Sequence, residues 1–535
     1  MLPNYSDDNS GFWKRQKMLD EIDLGPGFPE WTELGQETGL DPLGMQRPIE
    51  LVYQSLLPGI STITLRLRYY SFFAWLLEAY AKKPGVTNEY EAFRRFQRRA
   101  EALFALTCAR GDVELGVAGI EWANRQLGLV DPENADALVD FRTGADPESD
   151  ANLRYLRNKG GAFGGIYASQ MREMGLVKMD DSNLPVPFCK DAALPLADAF
   201  QQAIGDLADV FLEAVAAGEV TLSTLDRLAP IKPTNINPGS PEQRELAAIL
   251  FGRHASAAES DQTRSQTLKM LLRLAAQRGR PPKSEESKWD WFGVTAGVDE
   301  GMDSSELQPV WALYQASDLF RLAYETLLFA GLRILTNAPP NSMSLDGVIE
   351  GVTDMAGLPG NQSLQEWIHE QIDVSDLENH AKTAAHAMQE SLTAADDEQA
   401  VRSAWSLIAA LSLKGKQLDR SVLEWLGSAE HFQSLVSEMK FIEMRHDLPV
   451  QTALAELLRE RIFRRHLWVA SRKFRNQKAY TFLFEPDDGA LRFRDFFRVS
   501  PSSPRIDQAV QFLRDVKVLD DHGVTPLGLE ELERG

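Results

Sequence analysis

Apolar residues recur at helical spacing along most of this 535-residue chain, and this periodicity constrains the fold more than any other feature. Ala/Leu-rich stretches such as Trp311–Leu335 and Leu377–Ala394 run well beyond the usual length of a strand. No fixed repeat length relates them, so a regular solenoid is not indicated. The pattern predicts a mainly α, multi-domain helical protein with a minor α+β component.

Changes in composition along the chain suggest five segments. We predict an N-terminal arm over 1–45, a helical domain over 46–228, a Pro-rich linker over 229–241 and a helical middle domain over 242–440. Residues 441–535 are predicted to form a basic helix, a β-hairpin and a partial winged helix. Within 242–440, the polar stretch Gly279–Lys288 interrupts the helical pattern.

Two regions have the order of elements found in winged-helix units. In 152–203 a helix is followed by two short strands around the turn Asp180–Asn183, and then by a helix over Ala192–Ile204. Near the C-terminus, a helix over Arg505–Val516, a short strand at Val518 and a last helix repeat this order almost without a wing. Between the two regions, Tyr480–Arg494 reads as a hairpin around a Gly-containing turn.

Composition limits the classes of function. The formal net charge of −22 repels polyphosphate at long range, so any nucleic-acid contact requires a local basic patch. Two cysteines, Cys108 and Cys189, are too few for a disulfide scaffold or a Cys-based metal site. The N-terminus does not resemble a signal peptide, and no apolar run reaches membrane-spanning length. We therefore expect a cytoplasmic protein without membrane contact.

The catalytic motifs that a sequence can reveal are missing. There is no Walker-type loop, His-Glu-x-x-His, Gly-x-Ser-x-Gly or kinase set, so we expect no metal and no cofactor. The glycines of 160–165 lack a preceding strand, which favours tight backbone packing over a phosphate cradle. Glu438-Met-Lys440, with Asp419 upstream, matches half of a metal-dependent nuclease core, but its apolar neighbours have helical spacing.

The strongest positive signal is a basic segment. Residues 459–478 contain eight cations and a single acid, a local net charge of +7. Such a segment can neutralise phosphates, and an aromatic residue among arginines suits a base or a sugar. Pairing with acids of the same chain or of a protein partner is the open alternative. The predicted nucleic-acid contacts are Arg459, Arg461, Arg464, Arg465, Trp468, Arg472, Lys473, Arg475 and Lys478.

Two further groups of arginines precede this segment. Arg94, Arg95, Arg98 and Arg99 are predicted to form the solvated face of an amphipathic helix. Arg66 and Arg68 begin a helix that is apolar on every face, a position that the helix dipole disfavours for cations. They are either buried and paired or they line a pocket.

The stretch Leu56–Leu76 contains Pro-Gly-Ile-Ser-Thr-Ile-Thr-Leu-Arg-Leu-Arg-Tyr followed by an aromatic helix. It resembles the opening block of an uncharacterised family of bacterial proteins encoded among anti-phage defence and restriction genes. Residues 472–482 also resemble that family. The resemblance covers less than a tenth of the chain; it implies a context, and it implies no activity. Its motif positions here are Arg66, Arg68 and Tyr69, whose role is unknown.

These observations together predict a non-enzymatic subunit of a bacterial anti-phage defence complex. The basic segment and the terminal winged-helix-like unit would contact DNA or RNA, and other protein subunits would supply the effector. Two alternatives stay open: a cryptic metal-dependent nuclease and a purely protein-binding scaffold.

Overall fold

The computed structural model describes residues 41–83, 89–112, 114–179, 185–254, 256–293, 307–426 and 434–534. The fold is mainly helical with small antiparallel sheets, as the apolar spacing predicts. Most of the predicted arm and the predicted turn Asp180–Asn183 lie outside the described residues. No helix in the described ranges combines the length and apolar character needed to cross a membrane.

The helices are numbered here in chain order. They are α1 (Gln46–Leu56), α2 (Arg68–Ala81), α3 (Tyr90–Ala109), α4 (Ile120–Leu127), α5 (Arg142–Ala145), α6 (Ala168–Glu173), α7 (Ala193–Ile204), α8 (Leu207–Ala217), α9 (Leu222–Arg227), α10 (Pro241–Leu250), α11 (Glu259–Arg278), α12 (Ser284–Phe292), α13 (Gln308–Asn337), α14 (Leu345–Ala356), α15 (Leu364–Gln371), α16 (Leu377–Ala394), α17 (Asp397–Gln417), α18 (Arg420–Leu423), α19 (Leu435–Glu443), α20 (Val450–Leu457), α21 (Arg464–Gln477), α22 (Ile506–Asp515) and α23 (Pro526–Glu533). Single π-helical turns precede α6 and α21, at Phe163–Tyr167 and Leu458–Phe463.

The strands are short and pair antiparallel. They are β1 (Leu138–Asp140), β2 (Val177–Lys178), β3 (Phe188–Cys189), β4 (Glu219–Thr221), β5 (Ser342–Ser344), β6 (Phe484–Asp487), β7 (Ala490–Phe493), β8 (Leu519–Asp520) and β9 (Gly523–Val524). β1 pairs with β4, β2 with β3 and β8 with β9, and the order β5-β7-β6 forms the only described three-stranded sheet. Helices follow β3 and β9, so both predicted regions contain the order helix, strand pair, helix.

Two compact units divide the chain without following its order. Unit one contains 41–54 and 285–504, and unit two contains 55–284 and 505–534. The boundary at 284/285 lies in the predicted polar break, where Gly279 ends α11 with φ of +63°. The predicted divisions at 241/242 and 440/441 therefore do not separate compact units, and the C-terminal helix pair groups with unit two.

The predicted linker 229–241 lies inside unit two. A 3₁₀ turn at Ala229–Ile231 is followed by Ile236, and the side chains of Ile231 and Ile236 are buried. The buried Arg68 guanidinium donates to the carbonyl oxygens of Pro230 and Lys232, and the Lys232 ammonium in turn donates to those of Arg110 and Asp112. Proline lacks a backbone N–H, so the free carbonyls of such a stretch need other donors, and here buried side chains supply them. The linker prediction is wrong for that reason.

Each unit has its own core. In unit two, α2 is buried on nearly every side, and an aromatic cluster forms around Phe72, Phe104 and Phe200. In unit one, the 30-residue α13 is buried along most of its length and packs against α17, which itself pairs with α16. Burial on nearly every side accounts for the apolar residues all round these two helices.

Candidate functional site

The basic segment forms one continuous helical run from Val450 to Gln477. α20 passes through the π turn at Leu458–Phe463 into α21 without a break. Leu454, Leu457 and Ile462 are buried, so one face of the run belongs to the core of unit one. This run is the basic helix that the sequence predicts within residues 441–535. Because the run is amphipathic, its cations divide into groups with different surroundings.

Two arginines of the run belong to a buried ion cluster around Glu438 of α19. Nη2 of Arg465 lies 2.5 Å from Oε1 of Glu438, and Nε of Arg461 lies 3.7 Å from Oε2. The hydroxyl of Tyr324 donates to the same Oε2 at 2.9 Å. Glu438 is 0% exposed, and the pKa of Tyr324 is raised by burial and by the nearby carboxylate. Arg465 is also buried, and Arg461, whose side chain is 25% exposed, faces the same carboxylate, so we remove both from the predicted interface.

His466 lies beside this cluster and is also internal. Its Nδ1 is 3.0 Å from the carbonyl oxygen of Pro42, and its Nε2 accepts from the backbone N–H of Leu483 at 3.0 Å. The backbone N–H of Leu483 can only donate, so Nε2 must be unprotonated. In the neutral ring Nδ1 then carries the proton and donates it to the carbonyl oxygen of Pro42. Burial lowers the pKa of His466 to about 4. The neutral ring thus ties α21 to the chain before β6.

Two cations form surface ion pairs. Arg459 pairs with Asp346 at 2.5 Å, and Arg464 pairs with Glu460 one helical turn earlier at 2.6 Å. Both arginines are partly exposed, and such pairs contribute little stability because water screens them. A phosphate could displace either acid at small cost. Arg459 and Arg464 therefore stay predicted contacts of secondary importance.

The C-terminal half of α21 presents a different surface, which we call the distal face and define as Trp468, Arg472, Arg475 and Lys478. Trp468 is 43% exposed, and the guanidinium carbon of Arg472 lies 5.1 Å from the centroid of its ring. Arg472, Arg475 and Lys478 are exposed, and none of the three forms an ion pair with a described residue. Lys473, next to this face, donates to the carbonyl oxygen of Asp41.

Helical spacing and the helix end explain this face. Trp468, Arg472 and Arg475 follow at i, i+4 and i+7, so they lie along one side of α21. Lys478 ends the helix with φ of +54°, and cations are favoured at this end by the helix dipole. Phe474 and Tyr480 are 51% and 56% exposed and meet edge to face with ring centroids 6.4 Å apart. The sequence analysis predicts Trp468 and the cations of this face as contacts, but it does not predict the exposed pair of Phe474 and Tyr480.

The motif residues Arg66 and Arg68 are buried and paired, which resolves the question that the sequence left open. Arg68 donates from Nε and Nη2 to the two carboxylate oxygens of Glu242, each at 2.9 Å. Its Nη1 donates to the carbonyl oxygens of Pro230 and Lys232 at 2.6 and 2.7 Å. All three nitrogens of the Arg68 side chain therefore face oxygen acceptors within unit two.

Arg66, like Arg68, forms a buried ion pair within unit two. Its Nη2 lies 3.1 Å from Oδ1 of Asp515, and Oδ2 of Asp515 accepts from the backbone N–H of Leu67. Burial raises the pKa of Asp515, while Arg66 and this N–H oppose the rise. The hydroxyl of the buried Tyr69 accepts from the N–H of Ala118. The three motif positions thus hold unit two together, including the C-terminal α22.

The prediction for Arg94–Arg99 is half wrong. Arg94 and Arg98 are buried, while Arg95 is exposed. Arg98 donates to the carbonyl oxygens of Ala145 and Asn158 and lies over the ring of Tyr155 at 4.7 Å. Helical spacing predicts which arginines share a face, but it cannot show that free carbonyls elsewhere in the fold cover that face.

The two phosphate- or metal-binding alternatives are not supported by the geometry. Glu101 accepts from the N–H groups of Ala162 and Phe163, so a protein carboxylate fills the position that a phosphate would take beside the glycines of 160–165. Glu438 is buried against Arg465, whereas Lys440 is exposed on the same helix. In the part of the chain that the structure describes, no three His, Cys, Asp or Glu side chains cluster as metal ligands would.

Comparison with family models, with curated proteins and with solved structures gave no match.

Proposed function

We propose that this chain is a non-enzymatic, nucleic-acid-binding subunit of a bacterial anti-phage defence complex, and that the distal face makes the contact. The observation that carries the proposal is that Arg472, Arg475 and Lys478 lie exposed around Trp468, with no acid of the described residues paired to them. The other basic residues of the run have partners in the same chain.

Charge supports a local contact. The chain as a whole carries −22, so its long-range field opposes nucleic acid. A stable complex then depends on short-range phosphate contacts from closely spaced cations, which release condensed counterions. Three exposed cations within seven residues provide such spacing, and two partly exposed ion pairs lie earlier in the same helical run.

The aromatic residues favour a single strand over a duplex. Trp468 is exposed and lies against the guanidinium of Arg472, an arrangement on which an unpaired base can stack. Stacking on an aromatic ring contributes about 1–3 kcal/mol per base and is tolerant of sequence. The preferred ligand is therefore single-stranded DNA or RNA.

The defence context rests on the resemblance of residues 56–76 and 472–482 and on no other observation. It predicts that neighbouring genes encode the effector subunits, such as a nuclease or an ATPase. Co-expression with these neighbours would yield a complex that contains this chain.

The test is binding of a fluorescent single-stranded oligonucleotide at low salt, measured by anisotropy. The variant R472E/R475E/K478E reverses the cations of the distal face. The matched control R402E/K416E/R420E reverses three exposed cations elsewhere in unit one, where the side chain of Arg420 is 93% exposed. We expect the first variant to lose at least about tenfold in affinity and the control to bind like wild type.

Trp468→Ala separates stacking from charge. It should weaken single-strand binding by about tenfold and leave duplex binding nearly unchanged, with Trp468→Phe close to wild type. No binding by the wild type, alone or with its neighbours, would contradict the proposal. If the distal-face variant loses binding to an acidic protein partner but keeps its binding to nucleic acid, the chain is the protein-binding scaffold of the alternative hypothesis.

A further inference from the structure

A cavity of about 600 Å³ in unit two has the features of an anion site. It opens between the start of α4 and the segment 151–157, and its polar lining includes Arg125, Arg154 and Arg157 with Glu121 as the acid. Its volume is in the range of small-molecule sites. This cavity shares no residue with the basic run of unit one.

The central observation is Arg154, which is 9% exposed and lacks an anion. Its Nε and Nη1 are buried without a hydrogen-bond partner, and no acid of the described residues pairs with it. Burying an unpaired guanidinium costs several kcal/mol, so proteins retain such groups where a ligand completes them. Two other buried arginines of unit two, Arg66 and Arg94, also have a buried Nε without a hydrogen-bond partner, but each of them pairs with an acid. Arg68 and Arg98 have acceptors for all three side-chain nitrogens.

The start of α4 adds backbone donors to the same cavity. Gly119 precedes the helix with φ of +80°, and a Cβ at this position would come within 2.7 Å of the Tyr155 ring. The N-cap Gly119 has no side chain, so no side-chain cap accepts from the first turn, although the N–H of Ile120 donates to the carbonyl oxygen of Val117 at 3.4 Å. Gly119, Glu121 and Trp122 line the cavity. Uncapped N–H groups and the positive end of the helix dipole favour an anion here.

We propose that this cavity binds the phosphoryl group of a small phosphorylated ligand of about mononucleotide size. Arg154 would form the inner contact, the N–H groups of the first turn of α4 a second, and the exposed Arg125 and Arg157 the rim. A phosphoryl dianion suits three guanidiniums and a helix N-terminus better than a carboxylate does, because it has more oxygens and more charge. The proposal does not depend on the function proposed for the distal face.

The test is isothermal titration of the full chain with inorganic phosphate, AMP and adenosine at constant ionic strength. We expect phosphate and AMP to bind and adenosine not to bind. Arg154→Met should weaken both by at least about tenfold, whereas Arg244→Met, which removes an exposed arginine elsewhere in unit two, should not. Arg157→Met should weaken binding less, because its side chain is exposed.

Two further measurements sharpen the result. The ligand-free melting temperature of Arg154→Met should equal or exceed that of wild type, since an unpaired buried charge is removed. A 5′-phosphorylated oligonucleotide that binds better than its 5′-hydroxyl form, in the distal-face variant as well, would identify a nucleic-acid end as the source of the phosphoryl group. Absence of phosphate and AMP binding at millimolar concentration, or a lower melting temperature in Arg154→Met, would overturn the proposal.

Discussion

Arg465 of the basic run donates to Glu438, and both side chains are buried in unit one. Removing one partner of a buried ion pair leaves an uncompensated charge, which costs about 3–5 kcal/mol. We therefore expect Glu438→Leu to lower the free energy of unfolding of unit one by that amount, measured by urea denaturation. The double variant R465M/E438L should recover most of the loss.

The ion pair of Arg465 and Glu438 should affect the stability of unit one but not its binding to nucleic acid. R465M/E438L should bind single-stranded oligonucleotide like wild type, because neither residue reaches the distal face. If the double variant is folded but no longer binds the oligonucleotide, Arg465 contributes to the nucleic-acid interface and its exclusion is wrong.

Arg68 and Glu242 form a buried ion pair in unit two in which each Arg68 side-chain nitrogen has an acceptor. Since Arg68 makes two bonds to the carboxylate and two to backbone carbonyls, lysine cannot replace its planar fork. Arg68→Lys should cost about 2–4 kcal/mol of unfolding free energy, close to the cost of Arg68→Met. Equal stability of wild type and Arg68→Lys in thermal and urea unfolding would show that charge alone is needed.

His466 predicts a specific loss of stability in acid. Its pKa in the folded state is lowered to about 4, with burial as the main cause and Lys473 as a nearby cation. Between the unfolded pKa of about 6.5 and the folded pKa of about 4, the unfolded chain binds a proton at His466 and the folded chain does not. The free energy of unfolding therefore decreases as the pH is lowered from about 6.5 to about 4. The maximum loss is roughly 3 kcal/mol.

His466→Gln is the matched control for this loss. A glutamine amide can donate an N–H toward Pro42 and accept from Leu483, as the neutral ring does, but it does not titrate. The difference in unfolding free energy between wild type and His466→Gln should therefore change between pH 7 and pH 4.5. A difference that is independent of pH would contradict the assigned protonation state.

Helices and local pairs were predictable because their causes are local. The apolar spacing of Trp311–Leu335 predicts most of α13, and the turn at Asp488-Gly489 has the two positive φ values that a two-residue hairpin requires. The third strand of that sheet, Ser342–Ser344, comes from a distant part of the chain and has no sequence signal. The grouping of 505–534 with unit two likewise depends on non-local contacts, including the packing of α22 and α23 on α11 and the ion pair of Asp515 with Arg66.

The candidate site was predictable only as a segment. Charge counting gives the +7 run, and helical spacing places Trp468, Arg472 and Arg475 on one side. Neither shows that Glu438 neutralises Arg465, because that carboxylate lies on another helix. Arg154 has no sequence signal at all, since an arginine is unusual only when it is buried without a partner.

The salt dependence of single-strand binding tests the central claim most directly. For a single strand, log K falls with log salt at about 0.7 per phosphate contact. Removing the three cations of the distal face should reduce the slope by about 2, while R402E/K416E/R420E should keep the wild-type slope. A wild type that does not bind, or equal slopes for wild type and the distal-face variant, would contradict the account.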